Sequence, residues 1–237
     1  MATLSPKPVY LLAGGPGSRR TGRDSMLERI VASTGVKQPQ VAYVGAASGD
    51  NQPFLLMMAT FMRGSGSGPV KLAPMVSKRA NLEKTRAILT NADLIFISGG
   101  DVEEGMRVLQ EREMLPILRQ LYQKGKPFFG ISAGSIMLAR EWVCWQNPND
   151  DATANLFPCM GFANLLCDTH GEGDRWEELQ MGVKLSPLGT LGYGIRSGAG
   201  LCLQPDGTIE VIGGEVDTFR NEGGLVKADM QLQAAPG

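Results

Sequence analysis

Short apolar runs alternating with helix-period segments constrain this chain more than any other feature. Val9-Tyr10-Leu11-Leu12-Ala13, Val41-Ala42-Tyr43-Val44, Val70-Lys71-Leu72, Ala92-Asp93-Leu94-Ile95-Phe96-Ile97-Ser98 and the run ending in Phe128-Phe129-Gly130-Ile131 read as strands. Strands with so little polar alternation are buried on both faces, and parallel neighbours need a crossover helix between them. The intervening segments supply those helices. Ser25 and Glu28 match a capping box ahead of Met26, Leu27, Ile30 and Val31, and Gly35 stops that helix. A second helix starts near Pro53 and carries Leu56, Met57, Thr60 and Met62; a third is capped by Asn81 and runs through Leu89. Asp101 and Glu104 pattern as a capping box for one long amphipathic helix, with Met106, Leu109, Leu115, Leu118 and Leu121 inward and Gly125 at its end. The expected fold is α/β, three layers with a mostly parallel central sheet covered on both faces. Beyond Ala139 the pattern changes: residues 142–145, 165–167, 198–203 and 208–212 read as extra short strands in the C-terminal third, the last two joined by a turn at Pro205-Asp206-Gly207. A chain of 237 residues accommodates one α/β domain over residues 1–220, and residues 221–237 read as a tail with little fold signal, expected to fray.

The fifth strand runs into Gly130-Ile131-Ser132-Ala133-Gly134, a corner that presents one hydroxyl beyond the sheet. Gly130, Ala133 and Gly134 leave room for a crowded backbone, and the amides that open the following helix are unpaired and can receive a developing oxyanion. Gly99-Gly100-Asp101 ends the fourth strand at the same carboxyl edge of the sheet, where ligand sites of open α/β folds form. A nucleophilic serine needs a base, and the chain holds one histidine, His170. A third, acidic group should hold the imidazole. Glu141, Asp150, Asp151 and Asp168 are the candidates between Ser132 and His170. Helical spacing turns Glu141 away from Ser132, and Asp168 shares a strand face with His170, where it could equally meet substrate. Asp150 and Asp151, in the loop over residues 146–151, are the better-placed pair.

Composition removes several classes of function. With 23 basic and 24 acidic residues no basic face is forced, so nucleic acid is not an expected partner. The first residues lack a signal-peptide pattern and no run of eighteen apolar residues occurs, so no membrane span is expected. Cys144, Cys159, Cys167 and Cys202 match no metal or redox spacing, and one histidine excludes a His-rich zinc site. A reduced, cytoplasmic protein without metal or cofactor is expected. The stretch from Gly17 to Asp24 approaches a phosphate loop, but Arg23-Asp24 stands where a Lys-Ser/Thr pair would reach phosphate and metal. A basic loop at the mouth of the site is the expectation there, ahead of nucleotide binding.

Three segments in order carry a resemblance: Phe96-Ile97-Ser98-Gly99-Gly100-Asp101, Phe129-Gly130-Ile131-Ser132-Ala133-Gly134-Ser135 and Cys167-Asp168-Thr169-His170. Together they resemble peptidase family S51, the aspartyl dipeptidase (peptidase E) and cyanophycinase group, on a class I glutamine amidotransferase-like, flavodoxin-like fold. The likeness runs from about Val9 to Phe219 and includes Ala46-Ala47-Ser48-Gly49-Asp50 and Gly192-Tyr193-Gly194-Ile195. It implies Ser132 as nucleophile, His170 as base, an acid best matched by Asp150, an oxyanion hole from the Gly100 and Ala133 amides, and cleavage after aspartate in small peptides. A serine where the amidotransferases keep cysteine argues against glutaminase chemistry. Cyanophycinases follow the Asp-x-His step with several arginines, whereas Gly173-Asp174-Arg175-Trp176-Glu177-Glu178-Leu179 has one arginine and three acids, so that polymer is not the expected substrate. Arg196-Ser197-Gly198 stands where similar proteins often carry acidic residues. Asp101, Asp168 and Arg175 are the substrate-binding candidates, with the planar guanidinium suited to a carboxylate. A homodimer is compatible with the chain, and the rival reading is a binding or sensory protein that kept this fold and lost catalysis.

Overall fold

Strands that bury both faces assemble centrally, and they do so here. The computed structural model describes residues 5–14 and 24–234. In chain order its elements are β1 (Val9–Leu12), α1 (Ser25–Ser33), β2 (Val41–Val44), α2 (Gln52–Gly64), β3 (Val70–Leu72), α3 (Leu82–Asn91), β4 (Leu94–Ile97), α4 (Val102–Glu111), α5 (Leu115–Gln123), β5 (Phe128–Ile131) and α6 (Ala133–Leu138). There follow β6 (Glu141–Trp145), β7 (Ala154–Pro158), β8 (Leu166–Thr169), α7 (Glu177–Leu185), β9 (Leu191–Ile195), β10 (Gly200–Leu203), β11 (Ile209–Ile212), β12 (Glu215–Asn221) and β13 (Val226–Gln233). The central sheet has the order β11-β10-β1-β5-β4-β2-β3. Its five strands from β1 to β3 pair in parallel, and β10 and β11 extend it antiparallel beyond β1.

Alternate strand residues feed two cores. Tyr10, Leu12, Val41, Tyr43, Leu94, Phe96 and Phe129 pack beneath Met26, Leu27 and Ile30 of α1 and Leu55, Met58 and Met62 of α2. Val9, Leu11, Val44, Ile95, Ile97 and Phe128 pack against Leu89, Met106, Leu109, Leu118 and Ile136 from α3 to α6. Phe96 and Phe129 stack across β4 and β5 at 4.5 Å. Helices therefore cover both faces, the three-layer α/β/α arrangement with a mostly parallel sheet.

Several local readings change. The helix expected to run from Asp101 to Gly125 is two, α4 and α5, because Pro116 cannot donate to residue 112 and its ring would strike that carbonyl; Glu113 turns left-handed (φ 56°) at the break. The cap of α1 is Asp24, not Ser25: its Oδ1 accepts from the amides of Met26 and Leu27. On α2 the inward stripe is Leu55, Met58, Ala59 and Met62, while Leu56 and Met57 face outward. The stretch 221–237, expected to fray, contains all of β13, which pairs antiparallel with β12 over residues 226–233. Its Val226, Ala228, Met230 and Leu232 alternate with Lys227, Asp229, Gln231 and Gln233, a strand pattern. The Gly17–Arg23 part of the basic loop lies outside the described residues.

After α6 the chain leaves the central sheet. β6 and β7 form a two-stranded hairpin, and β8, β9, β12 and β13 form a second sheet of order β13-β12-β9-β8. In it β8 and β9 run parallel, Asp168 opposite Gly194 and Thr169 opposite Ile195, with α7 as their crossover. Residues just beyond these two strand ends are thereby brought side by side. Among the described residues no helix is long and apolar enough to cross a membrane.

Candidate active site

The β5–α6 corner is built from backbone packed on backbone. A Cβ on Gly130 would stand 2.4 Å from the Gly134 carbonyl, and one on Gly134 would stand 2.1 Å from the Ile97 oxygen. Ser132, between them, sits at φ 54° and ψ −128° with its amide donating to Leu12 O (2.9 Å) at the end of β1. A non-glycine residue at positive φ costs roughly 1–3 kcal/mol and persists only where the surroundings enforce it. Here the glycines and the β1 bond do so. Among the described residues the Ser132 hydroxyl takes no hydrogen bond, whereas that of Ser135, one helical turn on, donates to Leu12 O (2.8 Å).

Gly100 approaches from the end of β4 at φ 140°. Any side chain there would lie 1.9 Å from the Ala47 oxygen, which accepts the Asp101 amide (2.9 Å). A side chain on Gly99 would come 3.1 Å from Ser132 Cβ and 3.7 Å from its Oγ. The Ala46–Ser48 turn thus holds the two glycines against the serine. Among the described residues neither the Gly100 nor the Ala133 amide donates to a protein acceptor. Two unengaged amides on either side of a presented hydroxyl make an arrangement that can receive negative charge on a substrate oxygen.

Asp101 begins α4: its Oδ1 accepts from the Glu104 amide (2.8 Å). The expected box is half formed, because Glu104 turns instead to Arg107. Removing the cap in Asp101→Ala is expected to cost about 1 kcal/mol, read as a lower urea midpoint.

His170 follows β8 at φ 66°, and its Nδ1 lies 3.1 Å from Ser197 Oγ. Ser197 leaves the neighbouring strand β9, and its amide donates to Glu172 Oε1 (3.1 Å). The next amide, Gly198, donates to Gly14 O (2.8 Å), two residues past the carbonyl that accepts Ser132. Ser132 and the His170 turn are in this way tied to the same end of β1. Arg196, beside Ser197, makes two bonds to Asp217 (2.8 and 2.9 Å) and one to Glu215 (3.2 Å). Asp217 also accepts the Trp176 indole N–H (3.0 Å), and the Trp176 ring lies flat enough on the backbone that a Cβ at Gly171 or Gly194 would strike it at 2.5 or 2.6 Å. The Trp176 contact accounts for Gly194 on one side of Tyr193; on the other, a Cβ at Gly192 would strike Val183 (2.4 Å) and Leu179 (2.9 Å) of α7.

The remaining candidates are dispersed. Asp150 Oδ1 accepts from the Ala152 amide (3.0 Å) and Asp151 Oδ1 from the Trp145 indole (3.3 Å), both in the exposed turn of the β6–β7 hairpin. Neither is bonded to His170; the ring's partner is Ser197. Glu141 pairs with Arg140 (2.5 Å). Asp168 is buried beside His170, with the Thr169 amide on its Oδ1 (2.6 Å). Burial pushes its carboxyl up to about 7; the Thr169 bond opposes this, and the charges of Glu178, Asp174 and Glu172 add to it. Glu178 is raised as well, by burial and then by Asp174 and Glu103. Arg175 has a left-handed backbone (φ 60°), is exposed, and makes no ion pair among the described residues. The four cysteines are unpaired, and burial pushes the Cys159 thiol up to about 12. Among the described residues no cluster of His, Cys, Asp and Glu could hold a metal ion.

The profile of "Peptidase family S51" matches residues 9–211. "Peptidase E" of Pasteurella multocida is 29% identical over 163 residues, covering 65% of this chain and 66% of that protein. "Peptidase E" of Shewanella denitrificans is 28% identical over 133 residues, 52% of this chain and 56% of its own length. The chain thus spans just under two thirds of the first of these curated relatives and less of the second. In fold, a peptidase from an acI-B1 Actinobacterium superposes with a TM-score of 0.71 at 15% identity, covering 99% of this chain and 97% of its own. A putative peptidase E from Listeria monocytogenes superposes with a TM-score of 0.63 at 11% identity, covering 88% and 99%.

Proposed function

This chain belongs to peptidase family S51, and from that premise we propose that it is a serine hydrolase cutting peptide or related amide bonds in small peptides with an aspartate before the scissile bond. The observation that carries the reading is Ser132, held left-handed at the β5–α6 corner between the unengaged amides of Gly100 and Ala133. In the proposed cycle Ser132 Oγ attacks the carbonyl carbon and its proton passes to His170 Nε2. The two amides hold the oxyanion, each donor contributing about 3–4 kcal/mol to the barrier reduction. Collapse breaks the C–N bond, His170 returns the proton to the leaving amine, and water then cleaves the acyl-serine by the same steps in reverse.

The test is covalent labelling with a fluorophosphonate. The wild type and a Cys144→Ala control should label and Ser132→Ala should not; a folded wild type that stays unlabelled would favour the binding-protein alternative. Arg175 is the proposed partner of the substrate carboxylate, being exposed and free of other ion pairs among the described residues. Loss of a charged hydrogen bond of about 1.5–3 kcal/mol should raise KM for Asp-Xaa dipeptides roughly ten- to a hundredfold in Arg175→Gln. Ala-Xaa dipeptides should be unaffected, and an equal change for both series would exclude that role.

A further inference from the structure

We propose that Glu172 is the carboxylate that positions His170, and that it acts through the hydroxyl of Ser197. The inference rests on Ser132 and His170 being nucleophile and base, and names the acid that completes them. His170 Nδ1 lies 3.1 Å from Ser197 Oγ, and the Ser197 amide donates to Glu172 Oε1 at 3.1 Å. Ser197 thus faces both groups, its hydroxyl on the ring and its amide on the carboxylate; burial works to raise the Glu172 carboxyl, but its own amide, Ser197 and the His170 charge together hold it below its usual range. A hydroxyl has one proton to give. If Ser197 gives it to the Glu172 carboxylate, its oxygen must accept from His170, so the ring proton sits on Nδ1. The Nε2 lone pair is then left bare for the Ser132 proton, the tautomer a serine hydrolase requires. When Nε2 takes that proton, the imidazolium faces an anion one hydroxyl away.

The fold holds all three members in place. Thr169 and Ile195 are opposite each other on parallel β8 and β9, so His170 and Ser197 leave the two strands together. Asp217 and Glu215 on β12 grip Arg196, which fixes the turn on one side of Ser197, and the Gly198–Gly14 bond fixes it on the other. Arg196 is engaged by β12, and among the described residues Glu172 has no ion pair to neutralise it. Other charges near this turn include Asp168 at the end of β8, Asp174 and Arg175 in the loop, Glu178 on α7 and Arg196; among the described residues only Glu172 bonds to Ser197, the residue on Nδ1.

Because the chain has a single histidine, its ring nitrogens can be followed in tag-free, 15N-labelled protein by long-range 1H–15N spectra, taken at a pH where the ring is neutral. The wild type and Glu172→Asp should show Nδ1 protonated. Ser197→Ala and Glu172→Gln should revert to the Nε2–H form that free histidine favours, and both should slow fluorophosphonate labelling of Ser132 at least about tenfold. The double variant should be no slower than the slower single one, as for groups acting in series. A wild type with Nε2 protonated, a tautomer unmoved by either substitution, or labelling lost in Asp150→Asn but kept in Glu172→Gln would overturn the proposal. The tautomer decides this assignment and labelling of the wild type decides the hydrolase reading, so the two fail separately.

Discussion

Gly134→Ala is expected to lower the stability of the protein by about 3 kcal/mol or more, far beyond the usual effect of one methyl group. Helix propensity alone points the other way, since alanine in α6 is favoured over glycine by about 1 kcal/mol. Sterics decide the sign. The added carbon would stand 2.1 Å from the Ile97 oxygen and 2.8 Å from the Ser98 oxygen, and neither is the movable end of a side chain. To relieve the clash α6 must lift from β4, which pulls on Ser135, whose hydroxyl is tied to Leu12 O, and opens the seam where Ile136 and Met137 are buried. Gly173→Ala is the matching control, because nothing lies within 4 Å of a Cβ there and its φ is unexceptional. It should stay within about 0.5 kcal/mol of wild type. Urea midpoints at constant m-value measure both; a wild-type midpoint for Gly134→Ala would mean that the corner is not closely packed.

That corner was readable from the chain alone, because its constraints are local. A strand buried on both faces shows as an unbroken apolar run, and a turn that must pass under another backbone shows as glycine at fixed offsets from Ser132. What escaped reading depends on contacts between distant residues. The hydroxyl beside His170 belongs to Ser197, 27 residues later, and only the parallel register of β8 and β9 brings them together. Arg196-Ser197-Gly198 stood out in the sequence only as a place where similar proteins often carry acidic residues, which does not by itself point to a hydroxyl on the imidazole. The resemblance and the loop favoured Asp150, whose carboxylate accepts from the Ala152 amide at a hairpin turn. Strand β9 carries glycine at positions 192 and 194 because α7 and Trp176 press on it, and such residues weaken a strand signal at the moment they are needed for packing. The break between α4 and α5, by contrast, was legible in Pro116, and β13 in its strict alternation; the amphipathic stripe masked the first and the polar partners of Val226 and Leu232 the second.

Asp168→Asn is expected to stabilise the folded protein at neutral to alkaline pH and to change it little in acid. The direction follows from linkage. In the unfolded chain this carboxyl ionises around the ordinary 3.8, whereas in the folded protein burial, reinforced by the nearby carboxylates, holds it to about 7. Below the lower value both states carry the proton. Between the two values the folded state binds more protons than the unfolded one, so stability falls as pH rises across that window, and above about 7 the full cost persists. A shift of this size corresponds to roughly 4 kcal/mol at most, at about 1.4 kcal/mol per unit. Asparagine cannot ionise and keeps an oxygen for the Thr169 amide, so the variant should remove the slope and the loss together. Urea unfolding of both proteins at pH 4 and pH 8 measures it: curves separating only at the higher pH support this account, and equal curves at both exclude it. A carboxyl kept against a stability cost, two residues before His170, is the kind of group retained for what it does to substrate. The same substitution should therefore lower turnover of Asp-Xaa dipeptides while raising the unfolding midpoint, and a variant gaining in both would remove Asp168 from the site.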